Sequence, residues 1–313
     1  MKLIENPQYL ESLRRLHREF PDWKRLDGRT VFLSGASGMI GSFLVDAVML
    51  RNEELPPASQ IKIIGVGRDR SAAERRFARW LNTPAFLFLE HDVSAPMGDV
   101  PPADFWIHAA STTHPLAYAR EPVNTVLANV LGGQHLLELA ARETGSRFLL
   151  LSSVEIYGEN RGDTEYFDEK YAGYLDCNTL RAGYPEAKRT SETLCQAYIE
   201  QCGVDAVILR LPRCYGPTMR MSDSKAAAQF IKKAAAGEDI VLKSEGNQLY
   251  SYAHVYDAVS GVLWAACRGV CGEAYNLGDK RSDVTLKELA GIAARHAGVA
   301  VVFDLPGSVE KKG

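Results

Sequence analysis

The chain has 313 residues, 46% hydrophobic and 24% charged, with a formal net charge of -3. That length suits one large domain or two intimate ones, and it buries a core without disulfide staples. The near-neutral balance gives no electrostatic reason to expect nucleic acid or an anionic membrane as partner, and no apolar run is long enough to span a bilayer.

Residues 8–20, QYLESLRRLHREF, set Leu10, Leu13, Leu16 and Phe20 at helical spacing among charged residues. The pattern predicts an amphipathic helix packed on the body or on a partner subunit, not a signal peptide. Apolar runs without polar alternation then recur: TVFLSG (30–35), IKIIGV (61–66), AFLFLE (85–90), DFWIHA (104–109), RFLLLS (147–152) and DAVILR (205–210). Helical patterns at 38–52, 71–82, 122–143 and 184–202 lie between them. Buried strands alternating with helices predict an α/β chain, a Rossmann-type doubly wound parallel sheet.

After residue 212 the rhythm changes. Helices at 223–236, 255–268 and 285–297 mix with short strands at 240–243 and 299–303, predicting a smaller substrate-binding region over the sheet's carboxyl edge. The expected division is an N-terminal helical extension (1–28), an NAD(P)-binding domain carrying the catalytic residues (29–212) and a substrate-binding region (213–313). The chain stops abruptly after VVFDLPGSVEKKG, and a longer native C-terminus is expected. The six cysteines (Cys177, Cys195, Cys202, Cys214, Cys267, Cys271) make no CxxC pair. They read as reduced, mostly buried thiols of a cytoplasmic protein, with no metal site.

The first strand runs into GASGMIG and then a helix. Gly35 permits the tight turn, Gly38 lets backbone approach a pyrophosphate, and Gly41 allows close helix–strand packing. With the helix-start amides facing phosphate, this makes Gly35, Ser37, Gly38, Met39, Ile40 and Gly41 candidate cofactor contacts. The second strand ends IIGVGRDRS, with Gly67 and Arg68 where an acid would hold the ribose of NAD, and Asp69 beyond. Arg68, with Arg70, suits the 2′-phosphate of NADP, although arginines on a solvated helix read the same way. The expected cofactor is NAD or NADP, with Arg68 inclining the reading to NADP. Asp92 and Val93 after the third strand, Ala109, Ala110 and Ser111 after the fourth, and Leu211 at the end of the sixth are further cofactor candidates, although the ends of the third and fourth strands taken alone read equally well as ordinary loop entry.

The fifth strand delivers Ser152 and Ser153, and RAGYPEAKRTSETL follows with Tyr184 and Lys188. Pro185 suits a first helical turn, and residues four apart share a face, so the ammonium lies near the phenol. A phenol of pKa ~10 makes a poor base at neutral pH, and a nearby cation is expected to lower it. Ser153 donates a hydrogen bond to the same substrate oxygen. The trio, with Tyr184 and Lys188 also touching the cofactor, suits proton removal from a secondary alcohol as hydride leaves its carbon.

Together these segments resemble the extended short-chain dehydrogenase/reductase family, the NAD-dependent epimerase/dehydratases of nucleotide sugars. The likeness runs through GASGMIG, HAAS, NVLGG (129–133), SSVEIYG, YPEAK, YGP (215–217) and NLG (276–278). Within that family the chain is most similar to UDP-glucuronate decarboxylases, through HPLAYAREP (114–122) and GYPEAKRTSETL. The resemblance implies a nucleotide-sugar substrate oxidised at C4, substrate contacts from His114 and Tyr118, and a catalytic Glu155, two residues past Ser153, acting near C5 and C6. It also implies a homodimer that pairs the helices at 122–143 and 184–202. Leu131, Leu136, Leu137, Leu194 and Tyr198 then supply either that interface or the core. Three positions depart from the family. Val154 replaces the dehydratases' aspartate, which argues against 4,6-dehydration. Arg213 stands where an asparagine contacts the sugar nucleotide, and Tyr250 where an arginine binds the diphosphate. Both belong to the expected substrate site, and they leave open another activated sugar or polyol. A 4-epimerase, an NADPH-dependent keto-sugar reductase and a non-catalytic cofactor-binding sensor remain the alternatives.

Overall fold

The computed structural model describes residues 3–111 and 120–305. Helix α1 (Pro7–Glu19) starts where expected, with Pro7 in the first turn and the Asn6 side chain accepting from the Gln8 and Tyr9 amides. Its stripe of Tyr9, Leu13 and Leu16 is buried.

The six expected strands all form: β1 (Thr30–Ser34), β2 (Lys62–Gly67), β3 (Phe86–Glu90), β4 (Phe105–His108), β5 (Arg147–Ser153) and β6 (Asp205–Leu211). Between them lie α2 (Met39–Asn52), α3 (Arg70–Arg76), α4 (Pro122–Arg142) and α5 (Gly183–Cys202). Helix α3 is much shorter than the expected 71–82. Its chain leaves the helix so that Phe77 and Trp80 enter the core. There the Trp80 indole donates to the buried carboxylate of Asp46 at 2.8 Å, which also binds Arg76 and the Tyr9 hydroxyl. Tertiary burial has overridden helical propensity.

Beyond β6 come β7 (Arg213–Tyr215), α6 (Ala226–Ala235), β8 (Ile240–Leu242), β9 (Leu249–His254), α7 (Val255–Arg268), β10 (Ala274–Asn276), β11 (Asp283–Thr285), α8 (Leu286–Ala297) and β12 (Val301–Phe303). The main sheet is parallel, in the order β10-β6-β5-β4-β1-β2-β3. Its seventh strand, β10, was not expected. One face packs against α1, α2 and α7, and the other against α4 and α5. Two late elements, α7 and β10, thus return to the main-sheet layer. Beside it stand a three-stranded sheet, β11-β9-β7, and the pair β12-β8 under α6 and α8.

The order reverses between β1 and β4, which opens a crevice at their carboxyl ends. Gly41 lets α2 seat there: a Cβ on it would lie 2.5 Å from the Gly35 carbonyl oxygen and 2.9 Å from the Ala36 Cα. Both are backbone atoms, so nothing can swing away. Gly41→Ala is expected to cost about 1–3 kcal/mol, read as a lower urea midpoint with an unchanged slope.

One expectation about packing needs correction, and one left open is decided. Cys195 and Cys267 are buried and Cys214 is half-buried, but Cys177, Cys202 and Cys271 are exposed, because they sit in a loop, at the last turn of α5 and in the turn before β10. Leu136 and Leu137 are core residues of the single chain, with Leu194 and Tyr198 packed against the same cluster.

Candidate active site

Strand β5 ends on Ser153, whose hydroxyl accepts from the Glu155 amide at 3.2 Å and is hydrogen-bonded to the Tyr184 phenol. Helix α5 opens at Gly183, and Pro185 occupies its first turn, as the sequence suggested. Four residues on, the Lys188 ammonium donates to the Leu151 carbonyl at 2.6 Å and lies 5.9 Å from the Tyr184 ring centre.

Burial dominates the electrostatics of this trio. It pushes the Tyr184 phenol up, against the Ser153 hydrogen bond, and the Glu155 carboxylate pushes the same way. Burial pushes Lys188 down to about 8, opposed by Glu192. The lowering expected from the ammonium together with a bound nicotinamide is not present in the protein by itself: burial of the phenolate sets the direction, and the Ser153 hydrogen bond is what opposes it.

Glu155 sits in a single 3₁₀ turn (Val154–Tyr157), with Val154 before it. Among the described residues its carboxylate has no hydrogen-bond or ion-pair partner. It lines a cleft of about 1100 Å³, which is also bounded by Tyr157, Arg181, Arg213, Tyr250 and Asn276. Two of the sequence-derived substrate residues, Arg213 and Tyr250, therefore share a cleft with Glu155. The other two, His114 and Tyr118, lie outside the described residues.

The residues expected from the sequence to hold a cofactor gather around the crevice. Gly35 has φ +70°, and a Cβ there would lie 2.7 Å from the Ala109 carbonyl oxygen, so the glycine turn abuts the exit of β4. That exit is pinned from below. The Ser34 hydroxyl accepts from the Ala109 and Ala110 amides at 3.1 and 3.2 Å and is bonded to His108 Nδ1 at 3.0 Å. The Ser111 hydroxyl is buried with no partner among the described residues. The first-turn amides of α2, at Met39, Ile40 and Gly41, precede the first helical bond, from the Ser42 amide to the Gly38 carbonyl. A bare glycine turn, free helix-start donors and an orphaned hydroxyl fit a dinucleotide. Ser37 is in that turn, and Leu211 is level with Ser153 across β5 and β6.

At the adenosine end the placement is mixed. Arg68 is exposed at the end of β2. Arg70 instead turns toward β3, donating to the Phe88 carbonyl at 3.4 Å and facing Glu74 at 3.8 Å. Asp69 caps α3 through the Ala72 amide. Asp92 accepts from the amide and hydroxyl of Ser94, and Val93 is buried, with its carbonyl bonded to His135.

Three sets of residues escaped the sequence reading. Glu192 accepts from the Ser152 hydroxyl at 2.5 Å and pairs with Arg210 at 2.7 Å. Arg210 also donates to the Tyr157 hydroxyl at 2.9 Å, which in turn donates to Asn276 at 2.6 Å. The Ser34–His108 pin is the second. The third is a crossing by the chain after β7: Thr218 donates to the Met39 carbonyl at 2.8 Å and Arg220 to the Ser37 carbonyl at 3.2 Å. No short-range pattern signals contacts this distant in sequence. The only local hint was a glutamate four residues past Lys188.

A family model, NAD dependent epimerase/dehydratase, matches residues 31–278. The chain belongs to that family. This is an enzyme family, and its members are NAD-dependent. Among curated relatives, UDP-glucuronic acid decarboxylase 1 of Xenopus tropicalis is 31% identical over 83% of this chain and 59% of its own length. UDP-glucuronic acid decarboxylase 5 of Arabidopsis thaliana is 33% identical over 74% of this chain and 65% of its own. The chain thus spans about 60% of the length of these relatives. Among solved structures, the UDP-glucuronic acid 4-epimerase of Bacillus cereus, in complex with UDP-glucuronic acid and NAD, superposes with a TM-score of 0.73 at 20% identity, covering 88% of this chain and 85% of that one. A dTDP-glucose 4,6-dehydratase of Bacillus anthracis in complex with NAD gives 0.72 at 18% identity, covering 89% and 85%. These likenesses support the seven-stranded Rossmann-type fold. Among the described residues, no helix is long and apolar enough to cross a membrane.

Proposed function

We propose that this protein is a nucleotide-sugar enzyme that works through a 4-keto intermediate, in the manner of a UDP-glucuronate decarboxylase. The observation that carries the reading is Glu155, a carboxylate without a partner among the described residues, beside the Ser153–Tyr184 pair and on a cleft large enough for a nucleotide sugar. Bound NAD or NADP supplies the acceptor, and later the donor, of a hydride. Tyr184 takes the proton of the C4 hydroxyl as that carbon becomes a carbonyl, and Ser153 holds the same oxygen. Lys188 keeps a positive charge beneath the phenol. A C6 carboxylate is then a β-keto acid: its bond to C5 breaks, carbon dioxide leaves, and the electron pair passes to the C4 oxygen. Glu155 relays a solvent proton to C5. Val154 offers no acid for elimination of a hydroxyl, which favours decarboxylation over dehydration.

A second reading, an NADPH-dependent keto-sugar reductase, is favoured by Arg68, exposed at the end of β2 with no acid in its place. We divide the working parts near residue 212, assign the chain to the cytoplasm, and assign it a homodimeric state that pairs α4 and α5. The free thiols support the compartment, and Val123 and Leu127, exposed four apart on α4, support the dimer.

The test is incubation with UDP-glucuronate and NAD or NADP separately, following the nucleotide sugar by mass and chromatography. Loss of carbon dioxide without net cofactor consumption is expected, and Glu155→Gln should slow it about 10²–10⁴-fold. An isomer of unchanged mass would replace this reading with 4-epimerisation. Stoichiometric NADPH loss on a keto sugar would replace it with reduction.

A further inference from the structure

The cleft carries both signs of charge, and its acids near β11 are engaged. Asp279 pairs with Arg281, and Asp283 accepts from the Ser251 hydroxyl. Arg213 is held differently. It opens β7, its guanidinium lies 3.7 Å from the centre of the Tyr250 ring, and it has no carboxylate partner among the described residues. A guanidinium held by a carboxylate is neutralised. One held by an aromatic face keeps its charge. Its five N–H donors lie in the plane of the group, so stacking leaves that edge free for a planar anion. The location is close to the chemistry: Arg213 and Glu155 line one cleft.

We infer that Arg213, seated on Tyr250, is the oxyanion-binding residue of this cleft and selects a substrate carrying a phosphate or carboxylate group there. The inference rests on the nucleotide-sugar reading, which offers two such groups, the diphosphate and the C6 carboxylate. Tyr250 is a positioning residue: it fixes the guanidinium plane without competing for its donors. Lys280, whose ammonium lies 4.2 Å from the Tyr166 ring centre on the same cleft, supplies a control of equal charge.

The experiment is calorimetric titration of the full chain with inorganic pyrophosphate, UDP, UDP-glucose and UDP-glucuronate, on the wild type, Arg213→Gln, Tyr250→Leu and Lys280→Gln. A charge-assisted contact of this kind predicts about 10- to 100-fold weaker binding in Arg213→Gln. A smaller loss is expected in Tyr250→Leu and little change in Lys280→Gln. Weakening of all four probes assigns the seat to the diphosphate. Weakening of UDP-glucuronate alone assigns it to the carboxylate. If Arg213→Gln does not fold, Tyr250→Leu against Lys280→Gln gives the same discrimination. Wild-type affinity in both Arg213→Gln and Tyr250→Leu overturns the inference. So does an equal loss in Arg213→Gln and Lys280→Gln, or failure of the wild type to bind any probe. Pyrophosphate binding that depends on Arg213, with no binding of the nucleotide sugars, retains the seat and overturns the substrate reading instead.

Discussion

Tyr184→Phe is expected to lower turnover about 10²–10⁴-fold, the usual worth of a positioned proton acceptor. The substitution keeps the ring that fills the start of α5 and removes only the hydroxyl, which binds Ser153. Stability should therefore change little, and dinucleotide binding should survive. The measurement that separates these outcomes is reduction of bound nicotinamide on adding substrate, alongside a thermal melt. A variant that melts like wild type and still reduces the cofactor at the wild-type rate would remove Tyr184 from the chemistry. Undiminished function of that variant would favour the non-catalytic sensor reading.

The second large effect is thermodynamic. Lys188 is fully buried, and its pKa falls from 10.5 to about 8 on folding. Between those values the unfolded chain holds a proton that the folded protein has released, so stability rises with pH. Below about pH 8 the cost of burying the ammonium is fully present. It is relieved as pH climbs to the unfolded value. Relative to Lys188→Met, the wild type is expected to gain about 3 kcal/mol across that window. Urea unfolding of both proteins from pH 7.5 to 10.5 measures the difference, and a flat difference would place the native pKa near its unfolded value. The same deprotonation removes the charge beneath Tyr184, so turnover should fall on the alkaline side of pH 8.

Much of this was readable from local pattern, because the physics involved is local. Unbroken apolar runs give buried strands, and six of them landed in the main sheet within a residue or so. Tyr184 and Lys188 were legible because four residues make one helical turn, and the glycine turn because its spacing is set by backbone approach. Strands β7, β9, β10 and β11 were not, being three to six residues long without an apolar run. The end of α3 was missed because Asp46, 34 residues upstream, draws Trp80 inward. The Glu192–Arg210 pair bridges a helix and the next strand, and no periodicity couples those positions. The upward push of burial on Tyr184 in the protein by itself was not legible, because sequence shows neighbours but not solvent exposure.

The ion pair of Glu192 and Arg210 has a bearing on how this protein can be altered. Glu192 acts on the ammonium of Lys188 and holds Ser152, while Arg210 grips Tyr157 and through it Asn276, both on the wall of the cleft. Breaking a buried pair leaves a stranded charge, so its two halves shift together or not at all. Recutting the wall near Tyr157 is therefore expected also to shift the alkaline limb predicted above. The contacts predict that selectivity and operating pH are coupled in this molecule, so a change in one should be selected together with the other.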